Sequence, residues 1–370
     1  MAHLGYFREE LVARRGWIDD AAYADLVALC QFLPGPASSQ VVFALGMHRA
    51  GLAGAFLGSL CFTLPSAALM ILFAYGVSAL GNIGEAGWLH GLKLAAVAVV
   101  AQAVWGMGRK LCPDLPRLAL ALGSASVLIA LPGAAVQVGV IIAGGIIGGW
   151  VYRTDSTVLP QQEDAPARSR GWAAAALVVF AVLLVALPAL AAASGDGALK
   201  VFDGFYRSGS LVFGGGHVVL PLLRAEVVPP GWVSDDAFLA GYGAAQALPG
   251  PLFTFAGYLG TVMHPGGAAW AGGLWALLAI FLPSWLLVGG ALPFWTVLRS
   301  RAWAQAALRG TNAAVVGILL AAFYDPVWRE AVTGLKDVAA AIIAFSALEF
   351  LKCPPWLLVL VAAGAGAWLL

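Results

Sequence analysis

The sequence is poor in charge. Asp, Glu, Lys and Arg make up only 11% of its 370 residues, whereas hydrophobic residues make up 61% and the mean hydropathy is +0.88. Soluble globular domains carry about 25% charged residues, so this deficit excludes that class and predicts an integral membrane protein. The net charge of +1 argues against a nucleic-acid partner.

Cysteine is scarce as well, and motifs of catalysis are missing. The four cysteines stand singly, without a Cys-x-x-Cys or Cys/His spacing, so we expect small buried side chains at Cys30, Cys61, Cys112 and Cys353. The sequence has no GxSxG, HExxH or P-loop motif and no paired metal ligands. We therefore expect neither an enzyme nor a bound metal or organic cofactor, and no ATP-driven pumping by this chain alone.

A cleavable signal peptide is also lacking, because the first twenty residues are charged throughout and have no apolar run. The chain has instead a series of apolar stretches, each near the length of about 20 residues that crosses a bilayer as a helix. No alternation typical of membrane β-strands is present, so we predict an all-α polytopic membrane protein. The stretches are 51–81, 88–107, 117–152, 172–193, 268–298, 304–323, 338–351 and 355–370.

Two copies of one pattern occur in the chain. QFLPGPA at 31–37 returns as QALPGPL at 246–252, an offset of 246 − 31 = 215. Leu-Pro-Ser at 64–66 returns at 282–284, an offset of 282 − 64 = 218. Two such matches at nearly equal offsets indicate an internal repeat. We predict a first repeat at 1–152, a flexible cytoplasmic linker at 153–170 and a second repeat at 171–370.

The second repeat reaches further back than the first, through FYRSGSLVFGGGH at 205–217. The first repeat has no counterpart to this stretch. We therefore expect it to lack an opening helix and a Gly-rich loop, either because the start is assigned too late or because the element is lost.

Loop charges predict how the repeats are oriented. Residues 109–117 hold three basic residues against one acid, whereas 81–90 hold Glu85 and no Lys or Arg. In the second half the bias reverses, with three arginines at 299–309 and a mixed segment at 324–337. By the positive-inside rule, matching segments then cross in opposite directions, an inverted-topology repeat of the kind that many secondary transporters build around a central site. The alternative is a duplicated bundle whose loop charges have drifted.

The repeated Pro-Gly-Pro interrupts a helix. Between Asp19 and Leu33 there is room for about fourteen helical residues, or roughly 21 Å, which is shorter than a bilayer core of about 30 Å. Pro36 suits the first turn of a new helix, whose unbonded N–H groups carry partial positive charge and attract anions. The alternative is a plain tight turn between two tilted helices.

These broken or re-entrant helices supply the candidate substrate-binding residues. A run of three glycines forms a further break, where backbone can approach a ligand closely. If one half binds the substrate more tightly, we favour the first, because its break carries more hydroxyl and amide side chains. The candidates are Gln31, Pro34, Gly35, Pro36, Ser38, Ser39, Gln40, Gly214, Gly215, Gly216, His217, Gln246, Pro249, Gly250, Pro251 and Thr254.

Five charged residues are candidates for a charge or gating role. Arg8 and Arg224 each stand two positions before an acid, so they either bind an oxyanion or pair locally with Glu10 and Glu226. Lys93 lies inside an apolar helix, yet close enough to its start for the side chain to snorkel.

Four runs give the sequence a family resemblance. HLGYFREELVARRGW at 3–17, QFLPGPASSQ at 31–40, FGGGHVVLPLL at 213–223 and QALPGPLFTFAGYLG at 246–260 resemble the chromate transporter family in its long, two-domain form. The resemblance covers nearly the whole chain. The family opens with a Phe-Gly-Gly-Pro-type motif shortly before HLGYF, which this sequence lacks.

The resemblance implies a multi-pass protein of the bacterial inner membrane that exports chromate, driven by the proton motive force, and confers chromate resistance. Its partners would be a small inorganic oxyanion and the lipid bilayer, with a homodimer left open. Sulfate or another tetrahedral oxyanion is the alternative substrate, and a non-transport membrane protein is the less favoured class. Proton coupling and uniport both stay open.

Overall fold

The computed structural model describes residues 2–79, 87–153, 170–264, 268–295 and 301–369. Within those ranges the chain is helical or in turns and contains no β-strand, which confirms the all-α prediction. The helices are α1 Ala2–Phe7, α2 Asp20–Phe32, α3 Ala37–Ala79, α4 Gly87–Leu111, α5 Leu115–Ala130, α6 Ala134–Val151, α7 Arg170–Ser194, α8 Gly197–Ser210, α9 Val219–Val227, α10 Asp235–Ala247, α11 Phe255–Val262, α12 Ala269–Ala291, α13 Ala302–Ala322, α14 Arg329–Ala331, α15 Leu335–Glu349 and α16 Pro355–Leu369. Short 3₁₀ turns lie at Gly216–Val218, Leu252–Thr254 and Leu292–Phe294, and π-helical segments at Arg8–Arg14 and Phe323–Trp328.

Six helical stretches in the described chain are long and apolar enough to cross a membrane, judged by length and composition. They are Ala37–Ala79, Gly87–Leu111, Ala134–Val151, Gly171–Ser194, Ala269–Phe294 and Ala302–Ala331. Large apolar side chains stay exposed on several of them, such as Leu57 on α3 and Val185 on α7. In a soluble protein this surface would be unfavourable, whereas lipid tails accept it. The chain is therefore a multi-pass membrane protein.

Two predicted stretches take a different form in the structure. The stretch 117–152 is two helices, α5 and α6, because the backbone turns at Gly133 with a φ of +153°. The stretch 51–81 belongs to α3, which starts earlier and breaks at Ala50 and Gly51, where the φ of Gly51 is +67°. Glu85, linker residues 154–169 and residues 299–300 lie outside the described residues. Of the cysteines, Cys30 and Cys112 are buried as expected, while Cys61 is exposed and Cys353 is half-buried.

The helices that lead into the two Pro-Gly-Pro loops are alike and short. Both α2 and α10 have 13 residues, which is too few to span a bilayer core. Asp19 caps α2 by accepting a 2.8 Å hydrogen bond from Ala22 N, and Ser234 caps α10 by accepting one of 3.2 Å from Ala237 N. The two caps are 234 − 19 = 215 residues apart. The predicted short helix before each break is confirmed.

The two halves of the chain exchange their helices. In the first half α4 packs against α15 and α16 of the second, and in the second half α13 packs against α5 and α6 of the first. Both crossings are close enough to require glycine. A Cβ on Gly91 would overlap the carbonyl oxygen of Ala362, and a Cβ on Gly310 would overlap that of Gly144. Ala362 and Gly144 are 362 − 144 = 218 residues apart, so the offset found in the sequence recurs in the packing.

Candidate functional site

Three interruptions of helical structure meet at one place in the fold. Gly35 of the first Pro-Gly-Pro loop donates a 2.7 Å hydrogen bond from its N–H to the carbonyl oxygen of Val212, which enters the Gly-rich loop. At the far end of that loop, Gly216 lies against Leu252, the residue that follows the second Pro-Gly-Pro. The Gly-rich loop therefore touches both Pro-Gly-Pro loops.

Each Pro-Gly-Pro loop also rests on the opposite half of the chain. Gly35 has a φ of +127°, and a Cβ there would overlap the Oγ of Ser284 in α12. Gly250 has a φ of +146°, and a Cβ there would overlap the Oγ of Ser66 in α3. These serines belong to the repeated Leu-Pro-Ser motif. The contact is thus reciprocal, with the loop of each half held against the serine of the other.

Buried polar atoms without partners gather at the first loop. Ser39 and Gln40 are only 2% and 1% exposed, and Ser39 Oγ, Gln40 Oε1 and Ser284 Oγ have no hydrogen-bond partner among the described residues. The other end of the Gln40 amide donates a 2.7 Å hydrogen bond to the carbonyl oxygen of Pro34. A buried polar group left unpaired costs about 1–3 kcal/mol, so this cluster is suited to a polar ligand.

The start of α3 adds backbone donors at the same place. Gln40 N is bonded to the carbonyl oxygen of Pro36 at 3.0 Å, which begins the helical ladder. The N–H groups before it, at Ala37, Ser38 and Ser39, precede that ladder and carry the positive end of the helix dipole. Two serine hydroxyls and a helix N-terminus form a set of donors that matches an oxyanion.

The second Pro-Gly-Pro loop is built differently. Pro251 is followed by the 3₁₀ turn Leu252–Thr254, and the Thr254 hydroxyl is used within this turn, donating to the Pro251 carbonyl oxygen at 2.9 Å. Gln246 Nε2 is buried and has no partner in the described part of the chain, whereas Pro249 is exposed. This loop therefore contributes one unpaired donor, fewer than the first, as the sequence predicted.

The Gly-rich loop packs between α4 and α13. Gly214 and Gly215 have φ values of +76° and +154°, which favour glycine. A Cβ on Gly214 would lie 3.2 Å from Met107 and 3.6 Å from Asn312 Oδ1, an atom that has no partner among the described residues. His217 Nδ1 lies 3.0 Å from the Tyr242 hydroxyl, so this histidine is held by a protein partner.

Sequence reasoning missed three residues at this site. Ser66 and Ser284 were used only to set the repeat register, and Asn312 was not considered, although it directly precedes the repeated Ala-Ala-Val at 313–315. The available signal was the repeat itself, because Leu-Pro-Ser returned with a polar residue in a membrane-depth helix. Gln31, by contrast, is exposed, so the structure does not bring it into the buried cluster.

The two arginines have partners other than those expected. Arg8 binds Asp20 with Nε to Oδ1 at 2.6 Å, and Arg224 binds Asp235 with Nε to Oδ1 at 2.8 Å. The predicted local pairing of Arg8 with Glu10 and of Arg224 with Glu226 is therefore wrong. The two aspartates are 235 − 20 = 215 residues apart, so the same bridge holds the first turn of α2 and of α10.

The neighbouring acids are occupied by different arginines. Glu10 accepts a 2.7 Å hydrogen bond from Arg15 Nε, and Glu226 accepts one of 3.0 Å from Arg207 Nη2. Lys93 is 7% exposed and forms an ion pair with Asp236 of α10. These charges brace the helices and do not line the buried cluster at the breaks.

Comparison with known proteins identifies relatives along the whole chain. The sequence model of a family described as "Chromate transporter" matches residues 1–150 and 199–367. A chromate transport protein of Pseudomonas aeruginosa is 30% identical over 100% of this chain and 88% of its own length. A chromate transport protein of Cupriavidus metallidurans is 25% identical over 95% and 83%.

A shorter relative matches half of the chain. The uncharacterized transporter YwrB of Bacillus subtilis is 34% identical over 44% of this chain and 82% of its own length. No solved structure matches the chain. The two matched segments and this half-length relative suggest two domains.

Proposed function

Because the chain belongs to the chromate transporter family, we propose that it is a secondary carrier that exports chromate across the bacterial inner membrane. The observation that carries the proposal is the meeting of three broken helical segments around buried hydroxyl and amide groups that lack protein partners. In secondary transporters, broken helices direct their positive ends at anionic groups near the bilayer midplane. The role is transport and not catalysis.

The donors fit a tetrahedral dianion. Ser39 and Ser284 offer hydroxyl hydrogens, α3 offers its first N–H groups, and Gln246 Nε2 offers an amide hydrogen from the other half. Hydrogen bonds to a charged group are worth about 1.5–3 kcal/mol each, more than bonds to a neutral one. Moving a dianion outward across an inside-negative potential releases about 4.6 kcal/mol per 100 mV, twice the value for a unit charge. Neutral donors bind the anion without the desolvation of a buried cation.

We further propose that two repeats, at 1–152 and 171–370, have inverted topology and are joined by a cytoplasmic linker. The reciprocal contacts support a two-fold relation between them, since Gly35 lies on Ser284 as Gly250 lies on Ser66. The reversed loop charges support placing that axis in the membrane plane. Under this arrangement the two Pro-Gly-Pro loops approach one central site from opposite sides.

A matched pair of cysteine substitutions tests the topology. Leu115 and Leu335 open α5 and α15 and are 80% and 90% exposed. With the native cysteines replaced, we expect a membrane-impermeant maleimide added to intact cells to label Leu335→Cys and not Leu115→Cys, because the basic loop before Leu115 is placed in the cytoplasm. Permeabilised cells should label both. Labelling of both variants in intact cells, or of neither, would contradict the inversion.

A flux assay tests the substrate. Inside-out vesicles that contain the protein should accumulate labelled chromate in a saturable manner, and vesicles without it should not. Excess sulfate serves as the competitor, because it has the same shape and charge. Uptake of sulfate with no uptake of chromate would replace the substrate, and uptake of neither with the protein present would reject the proposal.

A further inference from the structure

Two ion pairs at the start of α4 reach into the second half of the chain. His90 Nε2 lies 2.8 Å from Asp337 Oδ1 in α15, and Lys93 Nζ is paired with Asp236 Oδ1 in α10. The helix α4 is one of the stretches long and apolar enough to cross a membrane. Ionisable side chains within such helices are expensive, and they generally mark ion or proton pathways.

The Lys93–Asp236 pair departs from the repeat. At the offset of 218, Thr311 takes the place of Lys93, since 311 − 93 = 218. At the offset of 215, Ala21 takes the place of Asp236, since 236 − 21 = 215. The Arg8–Asp20 bridge, in contrast, recurs in the second half. A bridge found in one half only is not part of what builds the repeated fold.

The two carboxylates of these pairs differ in how firmly they are held. Asp337 Oδ2 accepts hydrogen bonds from Thr333 N at 2.9 Å, Thr333 Oγ1 at 2.7 Å and Gly334 N at 3.2 Å, in addition to the contact of Oδ1 with His90. For Asp236 the described chain provides one partner, Lys93. The side chain of Asp236 is 37% exposed, against 7% for Asp337. Asp236 is thus the carboxylate that a proton can reach and that has least to lose on neutralisation.

Other charges near Asp236 are already matched. The adjacent Asp235 binds Arg224, which also lies 3.9 Å from Asp325, and Asp325 binds Arg329 at 2.8 Å. The remaining helices that pack on α10 are α11, α16 and α3; α11, α16 and residues 51–79 of α3 have no charged residue. Lys93 is therefore the charge on which protonation of Asp236 acts.

The helix that carries Asp236 leads to the candidate site. Asp236 lies in the first turn of α10, and Gln246 lies in the last turn, immediately before the second Pro-Gly-Pro. Partway along, Gly243 packs on the backbone of Leu92 in α4, where a Cβ would come within 3.0 Å of the carbonyl oxygen. The Lys93–Asp236 bridge and this glycine contact together fix α10 on α4.

We propose that Asp236 is the residue that takes up and releases the proton of the transport cycle. A proton from water on one side of the membrane neutralises the carboxylate, so Lys93 loses its partner and the bridge between α4 and α10 opens. Release of the proton to water on the other side remakes the bridge. His90 and Asp337 keep α4 attached to α15 throughout. This inference rests on the proposed carrier function.

Reconstituted protein in liposomes separates proton coupling from transport itself. Chromate exchange, with the anion on both sides and no gradient, measures the binding site and its movement. Net chromate flux under an imposed pH gradient, at alkaline pH where chromate is the dianion, measures coupling. For Asp236→Asn we expect exchange within about twofold of the wild type and gradient-driven flux lowered about tenfold, within the usual range of coupling between sites.

Two further variants keep the outcome interpretable. Asp236→Asn leaves a buried lysine unpaired and could destabilise the protein, so Lys93→Gln combined with Asp236→Asn removes both charges and is expected to show the same uncoupled exchange. Thr311→Val, at the matching place in the other half, should behave as the wild type. Gradient-driven flux that survives in both Asp236 variants overturns the inference, as does equal loss of exchange and net flux in the double variant. A wild type without any chromate flux would instead reject the carrier function on which the inference rests.

Discussion

Gly250→Ala abolishes chromate flux, and Ser66→Gly in the same chain restores part of it. Gly250 has a φ of +146°, where a side chain costs about 1–3 kcal/mol. The added Cβ would also overlap both Oγ and Cβ of Ser66, and such overpacking costs about 1–3 kcal/mol more. Removing the serine side chain relieves the overlap but not the backbone strain, so rescue is incomplete. Chromate flux per amount of folded protein is the measurement.

The control for backbone strain is Gly231→Ala. Gly231 also has a positive φ, +75°, but open space surrounds the position of its Cβ. It should cost stability without stopping transport. Full flux in Gly250→Ala would contradict the tight crossing, and failure of Ser66→Gly to improve it would show that the overlap is not the cause.

The breaks themselves could be predicted from the sequence, because their causes are local. Proline cannot continue the preceding helix, and the letters recur at a fixed offset, so the short α2 and α10 follow from the chain alone. The crossing could not be predicted. Leu-Pro-Ser fixed the register of each half, yet which loop Ser66 and Ser284 touch depends on how the halves pack together.

The arginine pairs show a different limit of sequence reasoning. Glu10 stands two positions after Arg8, but side chains two apart on a helix do not face each other. The partner, Asp20, lies twelve positions away at the start of the next helix. Gln31 and Gln246 likewise occupy equivalent positions in the repeat, yet Gln31 is exposed while Gln246 Nε2 is buried. Equal letters at equal offsets do not guarantee equal surroundings.

Serine substitutions at the first break should lower affinity without lowering stability. The hydroxyls of Ser39 and Ser284 have no partner among the described residues, so the combined Ser39→Ala and Ser284→Ala variant removes no protein hydrogen bond. If both hydroxyls bind the anion, about 1.5–3 kcal/mol is lost for each, and the apparent KM for chromate rises at least about tenfold. Chromate flux against concentration gives the KM, and thermal unfolding of the purified protein gives the stability.

Ser210→Ala is the matched control, because it is expected to do the reverse. Ser210 is 3% exposed, and its hydroxyl donates a 2.7 Å hydrogen bond to the Tyr206 carbonyl oxygen. Its loss should lower stability by about 1 kcal/mol and leave the KM unchanged. The contrast separates hydroxyls that hold the fold from hydroxyls held in reserve for a ligand. An unchanged KM in the double variant would remove Ser39 and Ser284 from the binding site, and the anion would then have to be held by the backbone of the three breaks.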